Sequence, residues 1–260
     1  MNPIHDYYNA YDEDNRFASN HGRVEFLTTM RYIEQYLRPD MRVLEIGAGT
    51  GRYSHALARL GYTVDAVELV RHNIDIFESH TTPDERVTVR QGDALDLSEF
   101  ADGTYDVTLL LGPMYHLFTV ADKVRALSEA VRVTKSGGVI CVAYCMTDAS
   151  ILDYGFKRGN ALGLLQKHMI DDVTFTAHSE PSDIFELVRR EDIFALTKNL
   201  PVTRMHYVAT DGFTKYMQPE IDAMDGETFD LYLKYHFFLC ERPDFVGITH
   251  HSLDVLRKDA

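Results

Sequence analysis

Two periods of hydrophobicity trade places along the chain between Arg42 and Met146. RVLEIGAG, YTVDAVEL, RVTVRQGDA, YDVTLLLG and VICVAYCM are short and apolar, several alternating at period two, and read as strands. TGRYSHALARLG, VRHNIDIFESH and the run from Ala121 to about Val133 space their apolar residues at helical intervals and read as the helices between them. Gly61 stops the first of these helices, and Ser136-Gly137-Gly138 breaks the third. YDVTLLLG is especially rich in apolar residues, which predicts a central strand covered on both faces. Regular alternation of strand and helix predicts a parallel sheet wrapped in helices.

The flanks follow other patterns. Val24, Leu27, Ile33 and Leu37 recur within RVEFLTTMRYIEQYL and predict an amphipathic helix closed by Pro39. Ahead of it, Tyr7, Tyr8 and Tyr11 sit among acidic residues, in a segment that is either mobile or folded over a ligand. After Met146 the alternation lapses until SDIFELVRREDIFALTKNL, where Ile184, Leu187, Val188, Ile193 and Leu196 suit a further helix. Residues 203–210 and 252–258 read as two closing strands. The expected organisation is one domain over residues 1–260: a helical lid (1–40), a ligand-binding core (41–146), and two cap insertions (149–181 and 212–247). In open α/β sheets ligands gather at the carboxyl ends of the strands, where loops can grow without disturbing the core.

Charge narrows the partners. Lys and Arg number 26 against 40 Asp and Glu, so 26 − 40 = −14, and a surface of that sign repels phosphate backbones. Nucleic acid is therefore disfavoured as substrate. MNPIHDYYNAYDED has neither the basic start nor the apolar run of a secretory leader, and no stretch is long and apolar enough for a membrane span, so a cytoplasmic location is expected. Cys141, Cys145 and Cys240 do not make a disulfide framework; Cys141 and Cys145 share one face of a strand and read as core thiols. Oligomeric state stays open.

The chemistry concentrates at the ends of successive strands. In Glu45-Ile46-Gly47-Ala48-Gly49-Thr50-Gly51 a strand gives way to a helix through glycines that permit a tight turn and close ligand approach. A dinucleotide turn would carry a glycine where Arg52 stands, and Glu45 would oppose a pyrophosphate while suiting an ammonium. Glu68 ends the second strand, 68 − 47 = 21 residues after Gly47, where a carboxylate can accept from ribose hydroxyls. Gly92-Asp93-Ala94 follows the third strand; Asp93 is placed either to accept from an adenine amino group or simply to form a turn.

With Glu68, GDA and LLLGPMYHL added to E-x-G-x-G-x-G, the run from Val43 to Met146 resembles the core of class I S-adenosylmethionine-dependent methyltransferases, the small-molecule branch in particular. The resemblance implies an α/β, Rossmann-like fold: a seven-stranded, mostly parallel sheet flanked by helices, here with cap insertions. It implies S-adenosyl-L-methionine as cofactor, S-adenosyl-L-homocysteine as its product, and a small-molecule acceptor. Carried onto this chain, Gly47, Ala48 and Gly49 would line the methionine moiety, with Glu45 near its ammonium. Arg52 would either pair with the ligand carboxylate or remain a solvated helix residue. Glu68 would hold the ribose, Asp93 and Ala94 the adenine edge, and Leu111 and Gly112 would offer backbone contacts; Tyr53, Leu69 and Gly92 complete the cofactor set.

Methyl transfer from a sulfonium is an in-line displacement, so alignment and exclusion of water dominate, and a base is needed only for a protonated acceptor. Gly112-Pro113 turns the chain after the fourth strand and brings Tyr115 and His116 towards the methyl group, His116 as candidate base or as a capping residue, Tyr115 as pocket wall. His250 and His251 are adjacent on a strand and point to opposite faces, so no metal is expected. DLYLKYHFFLC, which contains His236, reads as cap core or as an aromatic cover. Three other readings remain: methylation of protein or RNA, an NAD-dependent oxidoreductase, and S-adenosylmethionine binding without catalysis.

Overall fold

A computed structural model describes residues 3–11 and 13–260. Two helices lead in, α1 (Pro3–Ala10) and α2 (Asn20–Glu34). The core then runs β1 (Arg42–Ile46), α3 (Arg52–Arg59), β2 (Thr63–Glu68), α4 (Arg71–His80), β3 (Val87–Gln91), β4 (Tyr105–Leu110), α5 (Val120–Val133) and β5 (Thr134–Cys145). The first insertion holds α6 (Thr147–Ser150), a π-helical stretch over Ile151–Lys157 and α7 (Ala161–Gln166); α8 (Arg190–Thr197) leads to β6 (Val202–Ala209). The second insertion holds α9 (Gln218–Asp222), α10 (Gly226–Leu239) and α11 (Pro243–Val246), before β7 (His251–Lys258).

The strands form one seven-stranded sheet in the order β3-β2-β1-β4-β5-β7-β6. Pairings from β3 to β5 are parallel, and β7 runs antiparallel between β5 and β6. β4 is central, as its apolar content predicts; Val107, Leu109 and Leu110 are almost wholly buried. Two large apolar clusters cover the faces. One sets α5 and α8 against the sheet, and the other sets α2 and α3. No helix among the described residues is long and apolar enough to cross a membrane.

Four boundaries differ from the sequence expectations. Ser19 caps α2 by accepting from the Gly22 amide, so the helix starts a turn before Val24 and ends at Glu34, with Leu37 buried beyond its end. The break after α5 falls at Thr134: residues 135–138 sit in a register shift between β4 and β5, so Ser136-Gly137-Gly138 lies inside strand β5. SDIFELVRREDIFALTKNL is helical only over Arg190–Thr197, because Val188 instead bridges to Met146 beside the sheet and Ile184 lies in a reverse turn. In α10, Phe229 packs with Val24 and Ile221 while Leu231, Tyr235 and Phe238 face outward, so the aromatic run is cap core on one side only.

Candidate functional site

The carboxyl ends of β1, β2 and β4 meet at a cavity of about 250 Å³. The glycine turn forms its floor. Gly47 has φ of 75°, and a Cβ there would stand 2.5 Å from the Pro113 ring, so the turn needs glycine both for its backbone and for packing under the 112–116 loop. Gly49 has φ of 56°, and the nearest atom to a Cβ there, Cγ of Glu13, is 3.6 Å away.

Four amides of this turn are already engaged. Gly47 and Ala48 donate to the Val67 carbonyl at 2.8 and 3.1 Å, and Gly51 donates to Ala48. Gly49 donates to Glu68 Oε2 at 2.8 Å. A pyrophosphate needs such N–H groups free, and here it would also face two carboxylates. Glu45 is buried and accepts from the Ser54 hydroxyl. Burial pushes its carboxyl up to about 8; Ser54 opposes the rise and Glu68 adds to it. A cation beside it would favour the ionised form.

Glu68 is fixed more tightly, its Oε1 accepting from the Val70 amide at 2.9 Å and the Asn73 side chain at 3.2 Å. Burial raises its pKa against these three hydrogen bonds. With about four lone-pair sites on a carboxylate, it can still accept from a sugar hydroxyl. Asp93 accepts from the Leu95 amide at 2.9 Å, the turn role, and its other oxygen has no protein partner among the described residues. The Arg52 guanidinium lies 4.9 Å from the Phe26 ring centroid and has no carboxylate partner among the described residues, at the cavity rim.

Twelve of the thirteen cofactor positions border this cavity: Glu45, Gly47, Gly49, Arg52, Tyr53, Glu68, Leu69, Gly92, Asp93, Ala94, Leu111 and Gly112. Ala48 does not, because its side chain packs on Ala66 and Phe77 behind the turn. Tyr115 and His116 also line the cavity.

His116 is held at both ring nitrogens. Nδ1 faces the Ile184 carbonyl at 2.8 Å, which requires the proton there, so Nε2 accepts from the Tyr8 hydroxyl at 2.9 Å. Burial lowers its pKa, against the Ile184 contact, and the ring is a neutral base. Ile184 has φ of 70° and ψ of −45°, and the Phe185 amide closes on the Asp183 carbonyl at 2.8 Å. That is a strained γ-turn centred on a β-branched residue, aiming its carbonyl at the imidazole. The Tyr115 hydroxyl donates to the Leu111 carbonyl at 3.0 Å, which makes it a fixed wall. Burial raises its pKa far out of the physiological range.

Beyond this wall lies a second cavity of about 290 Å³, and Tyr8, Glu13, Arg16, Tyr115 and His251 border both. Helix α1 places Ile4 and Tyr8 on the wall of the first cavity. Arg16 pairs with Glu25 and, at 3.5 Å, with Glu13. His251 donates from Nδ1 to Asp211 at 2.8 Å, with Glu25 at 3.4 Å. Burial alone would lower the His251 pKa, but Glu25 and Asp211 outweigh it and push it up to about 10. Asp211 goes the other way: burial is overcome by His251, and its carboxyl is held well below the usual range. Donor atoms of Glu25, Asp211 and His251 come within 4.8 Å of one another, a spacing a metal could use. The protonated His251 and the adjoining guanidinium make it an ion-paired cluster.

Sequence reading did not place Glu13, Arg16, Glu25, Asn73, Asp211 or Phe185 at the site. They lie on α2, α4, or irregular segments far from the glycine turn, and no periodicity singles them out. The density of Tyr and acid before α2 is the one signal that pointed there.

Comparisons with known proteins agree with this geometry. Residues 44–142 match the family model of the methyltransferase domain. The chain is 30% identical over 134 residues to a ubiquinone biosynthesis O-methyltransferase of Methylocella silvestris, covering 52% of this chain and 50% of that protein. It is 42% identical over 104 residues to a demethylmenaquinone methyltransferase of Thermobifida fusca, covering 38% and 42%. The chain thus spans half or less of the length of these curated relatives. A solved structure from Thermotoga maritima, described as a methyltransferase dependent on S-adenosylmethionine and a possible histamine N-methyltransferase, superposes with a TM-score of 0.60. It has 18% identity and covers 99% of both chains, which establishes the shared fold. The core of this chain, residues 44–142, therefore belongs to the class I S-adenosylmethionine-dependent methyltransferase family.

Proposed function

We propose that the chain is a methyltransferase that binds S-adenosylmethionine in the first cavity and methylates a small molecule entering from the second. The observation that carries this reading is the turn itself: the amides of Gly47, Ala48, Gly49 and Gly51 are engaged by protein, and two buried carboxyl groups, Glu45 and Glu68, stand beside it. Such a floor rejects phosphate and receives an amino acid nucleoside with an ammonium and a ribose. The cofactor supplies a methyl group activated by its sulfonium. Glu45 faces the ammonium, Arg52 is free for the carboxylate, and Glu68 holds the sugar.

Around the reacting end, Tyr115 and α1 exclude water. His116 holds an available lone pair at Nε2 once an acceptor O–H or N–H displaces the Tyr8 hydroxyl, and takes that proton; its Nδ1–H stays on Ile184. Small-molecule acceptors fit better than nucleic acid because the chain is acidic and the second cavity is bounded by the caps. Cytoplasmic residence accords with three free, buried thiols.

Calorimetry with S-adenosylhomocysteine and with NAD tests the cofactor. Saturable binding of the former alone is expected, and binding of NAD alone would reverse the assignment. Labelled S-adenosylmethionine incubated with a metabolite extract, and separately with protein and RNA, tests the acceptor. Label is expected in the metabolite fraction; label confined to protein or RNA would overturn the small-molecule reading.

A further inference from the structure

We propose, resting on the methyltransferase reading above, that the acceptor carries a terminal anionic group, a carboxylate or a phosphate, which docks on Lys215 and His250 at the far end of the second cavity. Two independent observations point there. The first is a charge left over. Around this cavity Arg16 is matched by Glu13 and Glu25, Lys157 and Arg158 by Asp153, and His251 by Asp211 and Glu25. Lys215 lines the same space, is only partly exposed, and has no ion-pair or hydrogen-bond partner among the described residues. In a chain with 40 acidic and 26 basic residues, a half-buried ammonium with no carboxylate at ion-pair distance among the described residues, and only the field of Asp211, itself paired with His251, to offset it, marks a place for an anion from outside.

The second is an imidazole without partners. Both ring nitrogens of His250 are buried and, among the described residues, unpaired, although the ring lines the cavity and packs on Tyr216 with centroids 5.0 Å apart. Buried polar atoms are left unpaired at a cost unless something else completes them. Burial, with the nearby His251 and Lys215 charges, lowers its pKa to about 4 against the pull of Asp211, so the ring is neutral and offers one N–H. An oxyanion satisfies both groups at once, taking a hydrogen bond from His250 and charge from Lys215. A cationic acceptor would leave Lys215 unmatched and add repulsion.

Towards His116 the walls are aromatic. Tyr7 and Phe185 meet edge to face at 5.5 Å, and Phe185 lies 5.9 Å from Tyr115. A flat apolar body fits there, with its anionic group on Lys215 and its methyl-accepting atom near the Tyr8 and His116 pair.

The test titrates phenylacetate, phenyl phosphate, phenylacetamide and phenethylamine by ligand-observed NMR into the full chain saturated with S-adenosylhomocysteine. At least one anion is expected to bind ten times more tightly than the amide and the amine, and the ranking of the two anions tells carboxylate from phosphate. Lys215→Met is expected to erase this preference while leaving S-adenosylhomocysteine affinity within twofold; Lys215→Arg is expected to keep it, and His250→Phe to weaken it. Equal binding of the amide or amine, no binding of either anion, or an undiminished preference in Lys215→Met would overturn the proposal. Loss of S-adenosylhomocysteine binding by the wild type would instead break the methyltransferase reading beneath it.

Discussion

The two cavities share a wall of Tyr8, Glu13, Arg16, Tyr115 and His251 but are built on opposite plans. The first, to which we assign the cofactor, is local and backbone-led. Its groups come from the ends of consecutive core strands, and Gly47, Ala48 and Gly49 are fixed by contacts to Val67 and Glu68 on the neighbouring strand. The second, to which we assign the acceptor, is assembled from α1, two insertions and the start of β7, and is held by ion pairs such as Arg16 to Glu25 and His251 to Asp211. A turn constrained by backbone geometry tolerates little change, whereas a wall of side chains on loops can change its chemistry without disturbing the sheet.

The largest effect is expected where backbone and packing coincide. Gly47→Ala adds a Cβ 2.5 Å from Pro113 at a φ of 75°. We expect a loss of about 3 kcal/mol in urea unfolding and more than about 100-fold in S-adenosylhomocysteine affinity. Near-normal binding would show that the turn is as plastic as the acceptor side. His116→Ala probes the shared wall: labelling of the metabolite acceptor should fall about 100-fold with cofactor affinity within about threefold. Equal labelling would remove the base assignment.

This contrast also explains what was legible in the sequence. The sheet, its central strand and the glycine turn follow from period and from residues within a few positions of each strand end, so the meeting of Glu45, Glu68 and Asp93 at one cavity is legible directly. Ala48 alone of the expected cofactor positions does not border the cavity, because a motif names a residue without saying which way its side chain turns; here it faces Phe77. The Tyr8 to His116 contact spans 108 residues and depends on α1 folding back, which no local pattern encodes. Ile184 was read as helical for its spacing, yet the pairing of Val188 with Met146 and the contact to His116 override that local preference.

The two sides should yield to pH in different ranges. The His251 pKa is raised from 6.5 to about 10 in the folded chain, so its stabilising contribution is complete below 6.5 and lost as pH climbs through 10. His251→Gln should cost about 3 kcal/mol in urea unfolding at pH 6 and progressively less towards pH 10. A penalty independent of pH would mean the cluster is held by packing alone. Glu45 sets a dependence at lower pH on the other side. Its carboxyl is raised from 4.5 to about 8, so in the ligand-free protein its contribution is full below 4.5 and lost as pH rises through 8. A ligand ammonium favours the ionised form, so S-adenosylhomocysteine should bind with proton release and gain about tenfold in affinity between pH 6 and 8. Calorimetry in buffers of different ionisation enthalpy checks this, and Glu45→Gln should flatten the profile.

The smallest effect tests whether the wall is positioned by strain. In Ile184→Gly the γ-turn at φ 70° is relaxed, and the gain is offset by the chain entropy of glycine and lost side-chain contact, so stability should move by no more than about 1 kcal/mol. The Ile184 carbonyl would then no longer be pinned towards Nδ1 of His116, and the imidazole could turn or change tautomer. Labelling of the acceptor should fall several-fold, and the pH dependence of labelling should shift, with S-adenosylhomocysteine affinity unchanged. Unchanged labelling together with raised stability would show that the turn is mere strain in a loop, and that Tyr8 alone suffices to hold the base.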